Sequence, residues 1–425
     1  MPLVRPFRGL GYAPDRFGDL TDLVCPPYDV ISLDLQANLL ARHERNAIRL
    51  ELPPGDDPHR SAASTLAAWR ADGTLELSAD PTLLAYRHGT TRMPDKPSVH
   101  GILARVLLEP FGDAVRAHEH TLPGPKADRL ALLRATKTRF SAILAVYFDA
   151  SDASGRTVRG ALANPREARD EDGILHVAAA LEPDDELLDD LSRQRLFLAD
   201  GHHRYETALA YQAEVRADPR WTDAPAGALA ADWVMAVLVN GAVEELEILP
   251  THRLIRRADA KALRSLVRDA DPLWQAIPVD PALLAKRLDE VDGSGTPAFG
   301  LLLPDGAGYL LIGDADAIAD RMRREGGSPA LRSLDLAILH VALLRDRLGI
   351  DDARVAGGEW LAYTRSAAEA RAAVARGEAQ AAILVRPTLL PQLADVASAG
   401  DVMPQKSTYF HPKLLTGFVF NPLED

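Results

Sequence analysis

The densest run of side chains able to do chemistry is Asp200-Gly201-His202-His203-Arg204-Tyr205-Glu206, which follows the apolar stretch Leu196-Phe197-Leu198-Ala199. The apolar stretch reads as a buried strand, and Gly201 permits a sharp turn or the close approach of a ligand. A helical pattern starts at once. The first turn of a helix carries backbone N–H groups without intrahelical partners and a partial positive charge. Two imidazoles and a guanidinium share that turn, so Gly201, His202, His203 and Arg204 form a seat suited to an anion, most naturally a phosphate. Asp200 beside them is placed to ligate a metal ion or to orient a substrate hydroxyl. The plainer reading makes Asp200 a cap and the histidines surface residues. So much polarity at a buried strand end is costly without a ligand, which favours function.

A second group is His118-Glu119-His120-Thr121, followed by Pro125-Lys126 and Asp128-Arg129-Leu130. Glu119 is a candidate acid–base residue, His118 a substrate contact, and Arg129 a phosphate contact near a helix start. A metal reading of His118 and His120 lacks a third fixed ligand. A third group, Met403-Pro404-Gln405-Lys406-Ser407-Thr408-Tyr409-Phe410-His411-Pro412-Lys413, puts two lysines and two hydroxyls in one short stretch. It is not a P-loop, because Gln405 stands where a glycine is needed and Pro412 opposes the following helix. Lys406, Ser407 and Thr408 are expected to line a pocket for an anionic ligand. Lesser candidates are Asn46 and Arg49, which follow the rigid Pro26-Pro27-Tyr28-Asp29 turn, and His252 with Arg253 after Pro250. Cys25 reads as a small core residue.

These residues must be held by alternating short apolar strands and helices, the pattern of a mixed α/β or α+β chain. Strands are expected at 83–86, 102–108, 142–148, 196–199, 234–239, 299–303, 381–385 and 417–420. Helices are expected at roughly 58–71, 128–136, 203–217, 258–270, 333–348, 365–376 and 388–398. The charged segment 163–195 is expected on the surface. A boundary near 250–259 divides a nucleotide-binding part, 1–250, from an α/β part, 251–425, whose Lys/Ser/Thr motif is expected to complete the site.

The 425 residues are 47% hydrophobic and 26% charged, ordinary for a folded chain with a sizeable core. With 61 acidic against 48 basic residues the net charge is −13, which disfavours nucleic acid and anionic membranes as partners. The single cysteine excludes an intrachain disulfide and Cys-rich zinc modules. MPLVRPFRGLGYAP lacks a signal-peptide apolar run and no stretch is long enough to span a bilayer, so a cytoplasmic protein is expected. There is no G-x-S-x-G elbow, no Gly-Lys dipeptide, no Rossmann glycine fingerprint, no H-E-x-x-H and no C-x-x-C pair.

The combination of these segments resembles one family, domain of unknown function 1015, whose members are often described as ParB-like or SpoOJ-like. The matching stretches are Pro26–Ser32, Asn46 with Arg49-Leu50, His118-Glu119 with Thr121, Lys126 with Asp128-Arg129-Leu130, Ala199–Thr207, Leu249–Arg253, and Met403–Thr408 with Phe410 and Pro412-Lys413. The Asp-Gly-His-His-Arg element is similar to the nucleotide-phosphate motif of the ParB/sulfiredoxin superfamily, which includes free-serine kinases, nucleotide-binding partition proteins and sulfiredoxins. The resemblance implies a ParB/sulfiredoxin-like N-terminal part, with Gly201, His202, His203 and Arg204 on nucleotide phosphates. Sulfiredoxin chemistry is excluded because no cysteine stands in this motif, and the chain carries neither a helix-turn-helix nor the basic surface of a partition protein.

The expectation is a phosphotransferase that moves a phosphoryl group from ATP or ADP, with Mg²⁺, to a small hydroxylated metabolite, free L-serine first. Asp200 or Glu119 would orient the hydroxyl, and Arg129 and Lys406 would neutralise charge. The rivals are a nucleotide-binding switch or sensor without catalysis, and a metal-dependent hydrolase built on His118, His120, His202 and His203. The sequence leaves the oligomeric state open.

Overall fold

The computed structural model describes residues 3–119, 123–161, 163–268, 271–291 and 295–424, with backbone alone for 123–125. It is a mixed α/β chain of two compact units. The first comprises residues 1–117, 121–247 and 410–425, and the second 118–120 and 248–409. The chain therefore changes unit at 247/248, and its last sixteen residues, 410–425, return to the first unit.

Among the described residues, the first unit holds nine strands in one sheet: β1 (Val4–Arg5), β2 (Leu83–His88), β3 (Val99–Leu107), β4 (Val115–Arg116), β5 (Ile143–Tyr147), β6 (Arg166–Arg169), β7 (Leu175–Leu181), β8 (Leu196–Asp200) and β9 (Trp233–Asn240). The order is β4-β8-β5-β9-β3-β2-β7-β6, with β1 beside β3. Pairing is antiparallel except for β8 with β4 and β9 with β5. Strands β5 and β9 are buried along their whole length, as expected of strands covered on both faces. Their alternate residues Ile143, Ala145, Tyr147, Val234, Ala236 and Leu238 join one apolar cluster with Leu196, Leu198, Tyr205 and Ala208. Two helices matter for the site: α1 (Pro123–Thr136) and α2 (His202–Arg216).

The second unit has an antiparallel sheet built from β10 (His252–Ile255), β11 (Trp274–Val279), β12 (Ala298–Leu302), β13 (Gly308–Gly313), β14 (Leu361–Thr364) and β15 (Ala381–Leu384), in the order β11-β13-β12-β15-β10-β14.

Three expectations differ from the structure. Residues 417–420 form no ladder. Gly417 has φ +125° and starts a turn, and Phe420 makes only a single bridge, to Leu10. The charged segment 163–195 contributes β7, which is largely buried, because its charges flank the apolar run Val177-Ala178-Ala179. The helix expected over 333–348 is divided into Asp335–Ile338, a π-helical turn Leu339–Arg345, and Asp346–Leu348. No described helix is long and apolar enough to cross a membrane.

Candidate functional site

Strand β8 is buried from Leu196 to Ala199, and Asp200 at its end is largely buried, its side chain 16% exposed. The ladder with β5 slips between Leu198 and Asp200, so Ala199 is an extra residue that re-aims Asp200. Gly201 follows with φ +92°. A Cβ there would stand 2.8 Å from Ile143 Cγ2 and 3.1 Å from the Arg204 guanidinium carbon, so both backbone angle and space call for glycine. Helix α2 begins immediately, and Gly201 supplies no side-chain cap. Tyr205, fully buried, anchors the helix by donating its hydroxyl to Glu109 O at 2.8 Å. Gly201, His203 and Arg204 remain partly exposed, whereas His202 is buried.

Two cations converge on Asp200. Arg204 Nη2 donates to Oδ2 at 2.6 Å, and Lys413 Nζ donates to Oδ1. Burial alone would raise the Asp200 pKa, but Lys413 and Arg204 outweigh it and hold the carboxyl well below the usual range. Asp200 is therefore an anion at neutral pH and a weak proton acceptor. Arg204 also donates to Ala142 O, so its guanidinium is folded back against β5.

A cavity of about 60 Å³ adjoins Arg204 and is lined in part by Glu51, Arg129, Ser141 and Thr207. It has room for a few waters or a hydroxymethyl group, and none for a nucleotide. Glu51 is 2% exposed. Its Oε1 accepts from Tyr28 N at 3.2 Å and Ser141 Oγ at 3.1 Å. Arg129 donates to Glu51 O at 2.6 Å, with its guanidinium 4.4 Å from the centre of the Tyr28 ring. Lys126 on α1 pairs with Glu206 on α2 at 2.6 Å.

The expected site residues fall into three sets. Asp200, Gly201, His202, His203, Arg204 and Arg129 belong to the first unit, as do Asn46 and Arg49. Asn46 is fully buried and engaged with backbone: its amide donates to Asp22 O and Val24 O at 2.7 and 3.0 Å, and its oxygen accepts from Ile48 N. Arg49 donates to Leu40 O. The third set, His118, Glu119, His252, Arg253, Lys406, Ser407 and Thr408, belongs to the second unit. There His118 Nε2 lies 2.8 Å from Thr408 Oγ1, and Glu119 Oε1 accepts from Lys406 N at 2.8 Å. Ser407 donates to Pro404 O, and Arg253 donates to Thr251 O and, at longer range, to Gln405 O and Lys406 O. His252 Nδ1 accepts from Val385 N, and burial pushes its pKa down to about 4. Thus two separated sequence motifs, 118–119 and 405–408, meet. His120 lies outside the described residues. Among the described residues, no group of three or more His, Cys, Asp or Glu side chains is arranged to hold a metal ion.

Sequence reading missed two residues. Glu51 stands directly after Arg49-Leu50, and the signal available was an acidic residue inside an apolar helical turn. Lys413 reads as part of the tail motif, and its partner Asp200 is hidden from sequence reasoning because 213 residues separate them.

The family profile described as protein of unknown function (DUF1015) matches residues 4–337, and the chain belongs to that family. No curated protein matches. Among solved structures, the chain is similar to a mutant free serine kinase in complex with ADP, at 10% identity and TM-score 0.37, covering 72% of this chain and 90% of that one. It is similar to a conserved hypothetical protein from Pyrococcus furiosus at 12% identity and TM-score 0.36, covering 71% and 89%. C-terminally truncated SbnI from Staphylococcus aureus matches at 12% identity and TM-score 0.37, covering 76% and 87%.

Proposed function

We propose that the chain is a phosphotransferase that moves a phosphoryl group from ATP or ADP to a small hydroxylated metabolite. Free L-serine is the preferred acceptor, on the resemblance of the Asp-Gly-His-His-Arg element. The observation that carries the reading is the glycine-led start of α2, which has no side-chain cap and lies beside the two cations that meet at Asp200. The first-turn backbone of α2 with His202, His203 and Arg204 would receive phosphate oxygens, and Lys413 would balance charge on the group in transfer. Mg²⁺ would enter with the nucleotide and disperse phosphoryl charge, and Asp200 would offer it one ionised carboxylate, whose oxygens otherwise hold Arg204 and Lys413. Asp200, with its depressed pKa, serves to position. Glu51, held in place by Tyr28 N and Ser141 Oγ beside the small cavity, would accept the proton of the acceptor hydroxyl.

The test is release of ADP or AMP from ATP or ADP with Mg²⁺ across a panel of hydroxylated metabolites that includes serine. Turnover that falls by about a hundredfold or more in Glu51→Gln, with nucleotide binding retained, supports the reading. Absence of turnover with every acceptor sinks the kinase. The folded-back Arg204 favours the second reading, a nucleotide-binding switch. In that case ADP binds, and Asp200→Asn and Glu51→Gln leave biological activity intact.

A further inference from the structure

The small cavity beside Arg204 holds more than a proton acceptor. Three guanidiniums, Arg129, Arg139 and Arg204, and one carboxylate, Glu51, line it. Arg129 is paired with Asp128, and Arg204 with Asp200. Arg139 is 8% exposed, and among the described residues no carboxylate acts on it. Its Nε donates to Trp233 O at 3.0 Å and its Nη2 to Ala231 O at 3.4 Å, which fixes the guanidinium plane. Its Nη1 makes no hydrogen bond and keeps accessible surface. Burial pushes the Arg139 pKa down to about 10, with the Tyr211 phenol acting the other way, so the side chain stays charged at pH 7. A buried cation without an anion is costly, and a ligand anion would offset that cost.

Glu51 gives the cavity a second handle. Its Oε1 is engaged by Tyr28 N and Ser141 Oγ, whereas Oε2 is unbonded and accessible. Ser141 stands two residues after Arg139, so one short segment supplies the cation and orients the carboxylate. The cavity therefore offers one seat for an anion and one acceptor for a hydroxyl. At ~10–15 Å³ for each water-sized group, its volume of about 60 Å³ suits a ligand of about three carbons. In the cavity of about 450 Å³ beside the π-helical turn Leu339–Arg345, by contrast, the unmatched His340 Nε2 is sealed from the space.

We propose that Arg139 seats the carboxylate of the phosphoryl acceptor, which makes the substrate a small hydroxy acid with its hydroxyl at Glu51 Oε2. The inference rests on the phosphotransferase reading for the role of the hydroxyl, while the anion seat is read by binding alone.

Calorimetric titration of the full chain compares L-serine and D-glycerate with their uncharged counterparts serinol and glycerol, with and without AMP, which has no terminal phosphoryl group to give. At least one acid is expected to bind at a single site, and its alcohol counterpart about tenfold or more weaker. Arg139→Met should weaken that acid about tenfold or more and leave AMP affinity unchanged, and Arg139→Lys should recover part of the loss. Should Arg139→Met fail to fold, the acid–alcohol pairs on the wild type decide alone. An acid that binds through Arg139 and is never phosphorylated keeps the seat and sinks the phosphotransferase. Phosphorylation of serinol or glycerol as efficient as that of the acids keeps the phosphotransferase and overturns the seat. Failure of both acids to bind, equal binding of acid and alcohol, or undiminished acid binding in folded Arg139→Met also overturns it.

Discussion

The turn after β8 and the cavity beside the π-helical segment are opposite solutions to burying polar groups. At the turn, charge is dense and matched: Asp200 holds Arg204 and Lys413, and Arg129 holds Glu51 O. The adjoining space is about 60 Å³, and of the guanidiniums that line it Arg139 alone lacks a carboxylate. In the second unit the space is about 450 Å³, the wall is mostly apolar, and His340 Nε2 and Arg253 Nε are left unmatched. The density of chemically able residues in a sequence therefore marks where charges interlock. It says little about where there is room, because room depends on which apolar side chains fail to meet.

That contrast can be broken most directly by Lys413→Met. If the pair with Asp200 is as interlocked as the geometry indicates, the substitution leaves a buried carboxylate with one cation and destabilises the first unit by about 3–5 kcal/mol in urea unfolding. A loss under about 1 kcal/mol would mean the charges at the turn are solvated, and the contrast would fail. Gly201→Ala comes next. The φ of +92° and the 2.8 Å approach to Ile143 predict a loss of about 1–3 kcal/mol, with a lowered melting temperature as the readout. Unchanged stability would show that the turn relaxes easily.

Acid titration sharpens the comparison on a finer scale. Burial pushes the folded pKa of His88 in the first unit and His340 in the second down to about 3. The unfolded rings protonate near ~6.5, so the unfolded state binds more protons between the two values. The stability these rings contribute is complete above ~6.5 and declines as pH falls toward 3, by up to about 1.4 kcal/mol per pH unit for each ring. His340→Leu should flatten part of that slope. A slope unchanged by the substitution would show that His340 is already hydrated or protonated in the folded chain.

Much of the architecture was legible because strand and helix periods are strong where burial is continuous. Helix 58–71 and strands β5, β8 and β9 lie within a residue or so of expectation, since runs such as Val234-Met235-Ala236-Val237-Leu238-Val239 have few alternatives. The Asp200–Arg204 turn was legible from type and order alone. The return of 410–425 to the first unit, the partnership of Lys413 with Asp200, and the meeting of 118–119 with 405–408 were not, because they join residues hundreds apart. The π-helical turn was also hidden: Leu339–Arg345 keeps an apolar spacing that an α-helix would satisfy equally well.

The central claim is that the start of α2 seats phosphate. Titration of the full chain with ADP, in wild type and in His203→Ala, tests it most directly, since His203 is partly exposed and its truncation spares the core. The account predicts saturable binding to the wild type and a loss of about tenfold or more in the variant. No binding of ADP, or equal affinity in both proteins, would contradict it.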